Sequence, residues 1–219
     1  MRPAPPEDCA LCPRLALFRG ANREAFPDWH NAPVASFGEP AARLLIVGLA
    51  PGLRGANRTG RPFTGDHAGL LLYATLLRFG FARGHYRAQA QDGLRLIDCR
   101  ITNAVRCVPP ANRPQGAEVN ACRRFLMTEL GTPPRPEVVL SLGGIAHGSV
   151  LRALGHGARR YPFVHGALYR PDAGPVLAAS YHCSRYNLNT GRLTGVMFET
   201  VLARIRDWLD QRSSAVPDA

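Results

Sequence analysis

Apolar positions along the chain cluster into short continuous runs, separated by Gly- and Pro-rich loops and by longer stretches with helical spacing. Arg43-Leu44-Leu45-Ile46-Val47-Gly48 is an unbroken apolar run ending at glycine, the signature of a strand covered on both faces, as in a parallel sheet. Over 70–81, Leu70, Leu71, Leu72, Leu76, Leu77 and Phe79 recur at intervals that predict a helix. Further strands are predicted over 96–105, 138–142 and 176–180, and further helices over 117–130, 145–154 and 194–209. Val196, Phe198, Val201, Leu202, Ile205 and Leu209 form one stripe of the last helix. This alternation predicts an α/β three-layer sandwich, with a mostly parallel central sheet and helices on both faces. Polar clusters at 50–66, 103–112 and 182–192 follow predicted strands, where ligands of such sheets gather.

Residues 1–42 are rich in Pro, Gly and Asn, with one apolar piece at Leu15 to Phe18, and read as a structured N-terminal arm. Residues 212–219 read as a disordered tail. A chain of 219 residues with 46% apolar content supports one substantial core, so 1–219 is expected to form a single domain.

Charge sharpens this picture. Lys plus Arg total 27 against 16 Asp plus Glu, a formal net charge of +11, and every one of the 27 is arginine. Arginine's planar fork matches phosphates, so a polyanion partner is expected. A coding bias that exchanges lysine for arginine explains the abundant Ala, Gly and Pro, but not the net excess. No run of 18 or more apolar residues occurs and the first residues lack a signal peptide's apolar region, so a cytoplasmic protein without membrane contact is expected, as a monomer. In that reducing compartment, six cysteines are read for metal before disulfides.

Cys9-x-x-Cys12 is a chelating pair, and Cys107 and Cys122 flank a Pro-rich stretch and the start of a helix. Four such thiolates suit tetrahedral zinc or a [4Fe–4S] cluster, and a single close pair favours the cluster. Read without metal, Cys107 and Cys122 are ordinary buried cysteines, which is also the reading of Cys99 and Cys183.

The most specific motifs lie in the loops: Gly48-Leu49-Ala50-Pro51-Gly52, then Asn57-Arg58-Thr59-Gly60-Arg61-Pro62-Phe63-Thr64-Gly65-Asp66. With Ile101 to Pro114, Ser180-Tyr181-His182-Cys183-Ser184-Arg185 and Asn189 to Thr194, they resemble the uracil-DNA glycosylase superfamily. The match is specifically to its family 5, the iron–sulfur branch found in bacteria and archaea, and spans Cys9 to about Thr194. Family 4 relatives carry an acidic residue at the position of Ala50, so Ala50 points to family 5 and removes one water-activating group.

The chemistry of such an enzyme sets its needs. A nucleotide must be flipped from the duplex and its base stacked on an aromatic face, for which Phe63 is the candidate; the alternative is a core phenylalanine. The resemblance favours stacking. A carboxylate must steady the oxocarbenium-like sugar and orient water. The resemblance assigns this to Asp66, which also stands where a helix N-cap is expected. His182 matches the family's donor to the departing base anion, as neutral imidazole or imidazolium. An amide should read the base edge, and both Asn103 and Asn112 are candidates, with Gly48 and Ala50 completing the base pocket. Ser184, Arg185, Tyr186 and Arg192, with Arg58 and Arg61, are the expected DNA contacts, Tyr186 or Leu188 serving as wedge.

The resulting expectation is a monofunctional glycosylase acting on uracil and other deaminated bases in double-stranded DNA, with a [4Fe–4S] cluster. The absence of lysine fits a water nucleophile. The competing reading is a metal-stabilised nucleic-acid-binding module without catalysis; electron transfer is disfavoured, because no flavin or partner motif is present.

Overall fold

The computed structural model describes residues 4–214. After α1 (Pro13–Ala25), the chain runs through β1 (Leu44–Gly48), α2 (Ala56–Thr59), α3 (His67–Arg78), β2 (Ala82–Arg83), β3 (Arg95–Leu96) and β4 (Cys99–Asn103). A 3-10 turn (Pro110–Asn112) leads to α4 (Gly116–Gly131), β5 (Val138–Leu142), α5 (Gly144–Ala153), β6 (Leu168–Tyr169), β7 (Val176–Ser180), α6 (Arg185–Asn189) and α7 (Gly195–Ser214).

The central sheet has the order β4-β1-β5-β7-β6, parallel throughout except for β6, which pairs antiparallel to β7. Alternate side chains of β1 explain the layers. Leu44 and Ile46 face a core built with Leu72 and Leu76 of α3 and Phe198, Val201, Leu202 and Ile205 of α7. Leu45 and Val47 face the opposite core, with Leu126 and Leu130 of α4 and Ala146, Val150 and Leu151 of α5. Both cores explain why β1 shows no polar alternation. The predicted three-layer architecture is therefore the observed one.

The register brings the strand ends level: Gly48 pairs with Asn103, and Leu142 with Ser180. Loops leaving β1, β4, β5 and β7 thus start side by side at one edge.

Several expectations are corrected. The span 96–105 is not one strand, because Asp98 adopts a left-handed φ of 50° and its carboxylate accepts from the Arg43 backbone N–H and Nε. That corner separates β3, which pairs with β2, from β4. The arm's helix is longer than its apolar piece, because its buried stripe is Leu15, Arg19 and Asn22, two of them polar. Residues 212–214 of the predicted tail belong to α7, which continues to Ser214; the remainder, 215–219, lies outside the described residues. Among the described residues no helix is long and apolar enough to cross a membrane.

Candidate active site

A cavity of about 720 Å³ opens where the four parallel strands deliver their loops. Its wall combines Ala50, Gly52 and Gly55 after β1, Phe63 and Asp66 before α3, Asn103 at the end of β4, Gly143 after β5, and His182 after β7. Asn112, Ser184 and Arg185 complete it from the 3-10 turn and the start of α6.

The loop after β1 lies flat because glycine permits close approach. A Cβ on Gly48 would come within 2.6 Å of the Phe63 ring and would also strike the Asn103 amide oxygen. Gly48 is thus the floor on which both side chains rest, rather than a wall of the cavity. A Cβ on Gly55 would lie 2.5 Å from an Asp66 carboxylate oxygen, so the same loop wraps the carboxylate. Asp66 accepts from the Gly69 backbone N–H at 3.3 Å and caps α3. That contact uses Oδ1, and Oδ2 is the oxygen that faces Gly52 and Gly55. Capping and a place on the cavity therefore coexist.

Phe63 is buried yet lines the cavity, with φ at 52°, a strained value for an aromatic residue. Its neighbours hold it there: Tyr73 donates to the Pro62 carbonyl at 2.6 Å and Tyr86 to the Phe63 carbonyl at 3.2 Å. Arg61 belongs to this brace. It is buried, grips Asp92 with both terminal nitrogens at 2.8 and 2.7 Å, and sits 5.1–5.8 Å from the rings of Phe37, Tyr73 and Tyr86. The expectation that Arg61 meets DNA is corrected: its charge is spent inside the protein.

His182 stands with its ring centroid 5.8 Å from that of Phe63. Burial pushes its pKa below the usual 6.5, against the opposing pull of Asp66, so the imidazole is neutral at pH 7. Asn103 is buried at the cavity floor, and its amide makes no hydrogen bond to another described residue. Asn112 is exposed at the rim, in a left-handed conformation with φ of 55°. The two amides are therefore not equivalent.

Among the DNA candidates, Arg58 and Arg185 are exposed, and Ser184 caps α6 by accepting from Asn187 N–H. Tyr186 is 71% exposed, whereas Leu188 packs on the core. Arg192 is exposed with its guanidinium 4.7 Å from the Tyr181 ring centroid. Sequence reasoning missed His67, Arg54 and Ile145, which also line the cavity. The Nδ1 of His67 is buried without a hydrogen-bond partner. Its adjacency to Asp66 was the available signal.

Cys9, Cys12, Cys107 and Cys122 line one small void of about 10 Å³, closed by Leu15, Arg106 and Phe125. Arg19 donates to the Cys107 sulfur at 3.5 Å and the Arg106 backbone N–H to the Cys122 sulfur at 3.4 Å, the kind of support that thiolate ligands receive. Burial chiefly raises the Cys12, Cys107 and Cys122 thiols, Cys122 to about 11, and the neighbouring cysteines add to it. Among the described residues no group of three or more His, Cys, Asp or Glu side chains is arranged to hold a metal ion. Cys99 and Cys183 are buried in the main core, as expected.

The fold and cavity define an α/β enzyme working at the carboxyl edge of a parallel sheet. Comparison supplies its kin: the model for the uracil DNA glycosylase superfamily matches residues 35–206, and the chain belongs to that superfamily. It is 46% identical to the type-5 uracil-DNA glycosylase of Thermus thermophilus, over 89% of this chain and 90% of that protein. The type-5 uracil-DNA glycosylase of Mycobacterium leprae is 43% identical, over 88% of each chain. A type-4 uracil-DNA glycosylase of Pyrobaculum aerophilum is 35% identical, over 76% of this chain and 79% of that one.

Proposed function

We propose that the protein is a monofunctional DNA glycosylase that hydrolyses the N-glycosidic bond of uracil in double-stranded DNA, leaving an abasic site for base excision repair. The observation that carries this reading is the convergence of Phe63, Asp66, Asn103 and His182 on one cavity in a chain of this superfamily.

The flipped nucleotide enters from the face bearing Arg58, Ser184, Arg185, Tyr186 and Arg192, which bind phosphate or fill the vacated space. Its base lies against Phe63, and the buried Asn103 amide, with no internal partner, reads the O4 and N3–H edge. Asn112 acts from the rim. As the bond stretches, Asp66 steadies the positive sugar and orients water, a task left to it because Ala50 carries no acid. Neutral His182 donates an N–H to the developing charge on uracil O2, which needs no proton taken from solvent. With no lysine in the chain, no lysine Schiff base forms. The small side chain of Ala50 leaves room for other deaminated bases.

Cys9, Cys12, Cys107 and Cys122 would hold a [4Fe–4S] cluster. The void they share and the donors aimed at two sulfurs support this, and a cubane takes its ligands at separate corners rather than around one ion. Such a cluster supplies a cross-link and one-electron redox capacity; here the link would join the N-terminal arm to α4. The protein is read as a cytoplasmic, monomeric, single-domain repair enzyme of a bacterium or archaeon.

Alkali cleavage of U:G, U:A, hypoxanthine and xanthine duplexes after incubation tests the activity. Strand breaks at uracil are the expected result. Salt-dependent binding without breaks would instead support the binding-module reading.

A further inference from the structure

β7 ends at Ser180, and Tyr181 and His182 follow without helix or strand until α6 begins at Arg185. His182 therefore hangs on backbone that the sheet no longer fixes. Its imidazole makes no hydrogen bond to another described residue, so its position rests on its backbone and on packing against Phe63.

Side chains take over where the sheet stops. The Tyr181 N–H donates to His165 Nδ1 at 3.1 Å, the Tyr181 carbonyl accepts from Ser180 Oγ at 2.9 Å, and the His182 carbonyl accepts from Asn187 Nδ2 at 2.8 Å. Three of the four backbone polar groups of Tyr181 and His182 are thereby fixed. His165 reaches across from the segment before β6 and also stacks on the Tyr181 ring, with centroids 4.9 Å apart and planes inclined by 11°. Since a backbone N–H can only donate, Nδ1 must carry a lone pair, and the ring is the neutral Nε2–H tautomer.

We infer that His165 is a positioning residue for base release, holding the Tyr181–His182 backbone so that the His182 imidazole meets the departing base. This rests on the reading of His182 as donor to the base. The separation of stacking from hydrogen bonding makes the inference testable. His165→Phe keeps a ring but removes the acceptor and the bond to the Met197 backbone, while His165→Asn places an amide oxygen where Nδ1 stands and gives up both the stack and the Met197 bond.

The experiment measures single-turnover base release from a U:G duplex, duplex affinity and melting temperature for His165→Phe, His165→Asn, His182→Ala and the His165→Phe/His182→Ala double variant. Base release should slow roughly tenfold or more in His165→Phe, the scale expected of a catalytic group displaced by a fraction of an ångström, with duplex affinity unchanged. His165→Asn should recover most of the rate despite losing the stacked ring. In the His182→Ala background, His165→Phe should add no further loss. Asn187→Ala, which frees the His182 carbonyl, should repeat the pattern and serves if the His165 variants fold poorly.

A His165→Phe protein as fast as wild type while His182→Ala is slow would overturn the positioning role alone. Equal rates for Phe and Asn, or an undiminished Phe effect in the His182→Ala background, would overturn it too. An unimpaired His182→Ala would remove the reading of His182 itself, and the inference with it.

Discussion

The cavity and the cysteine corner sit at two places in one fold and treat polar groups in opposite ways. In the cavity, Asn103 and His182 offer buried or half-buried polar side chains with no hydrogen bond to another described residue. In the corner, charge is paired: Glu129 receives Arg100 at 2.8 Å, Arg106 at 3.2 Å and the Ser36 hydroxyl at 2.5 Å, all part-buried or buried. Arg14 and Glu118 likewise tie α1 to α4 at 2.8 Å. Buried polar groups are costly unless satisfied, so the open amide and imidazole of the cavity are placed to take a partner from outside, whereas the corner's carboxylates already have theirs, although Arg106 Nε beside them stays without one. Arg61 teaches the same lesson within the active-site loop, where its motif suggests DNA and its bonds to Asp92 mark scaffold.

This contrast predicts that variants of the two regions move different quantities. The largest effect belongs to Asp66→Asn, which keeps a good N-cap yet removes the carboxylate charge. Single-turnover base release should fall by about 10³-fold, roughly 4 kcal/mol of barrier, with little change in melting temperature.

Next comes Glu129→Gln, which leaves Arg100 and Arg106 without a compensating charge. Unfolding measurements should show a loss of roughly 3–5 kcal/mol, while the rate per folded molecule stays near wild type.

Asn103→Ala should slow base release by about 10–100-fold on uracil and cost little stability, since no internal bond is broken. Equal slowing by Asn112→Ala would blur the floor-and-rim distinction drawn above.

The mildest perturbation is pH. Burial lowers the pKa of His182 and His165 below 6.5, so the unfolded chain binds their protons more readily. Their contribution to stability is complete above 6.5 and declines as pH falls through the lowered values. Glu129, held at about 2 by its arginines against a usual 4.5, adds a second loss that starts below 4.5. Thermal melts from pH 8 to 2 should therefore show a small decline beginning near 6.5, then a steeper one below 4.5.

The sequence made most of this legible where side chains follow simple rules. β1, β5 and β7 announced themselves as apolar runs, and α3, α5 and α7 as stripes, because each packs on a core face. α1 was mostly hidden, since Arg19 and Asn22 occupy its buried stripe and make bonds no periodicity reveals: Arg19 to the Cys9 carbonyl and Cys107 sulfur, and Asn22 to the Phe18 carbonyl. β2, β3 and β6 are two residues each, too short for any pattern. In the site, the loop motifs led directly to Phe63, Asp66, Asn103 and His182, all on the cavity. The fate of Arg61 was illegible because Asp92 lies 31 positions away in an ordinary polar loop. His165 was illegible for a similar reason, as it meets Tyr181 across 16 positions.

The central claim is that chemistry resides in the cavity and support in the corner, and it is tested most directly by measuring Asp66→Asn and Glu129→Gln side by side. Base-release rate per folded molecule is read on a U:G duplex, and melting temperature on the protein alone. The account predicts a crossing, with Asp66→Asn slow and stable and Glu129→Gln fast and unstable. An Asp66→Asn protein that releases uracil at the wild-type rate would contradict it.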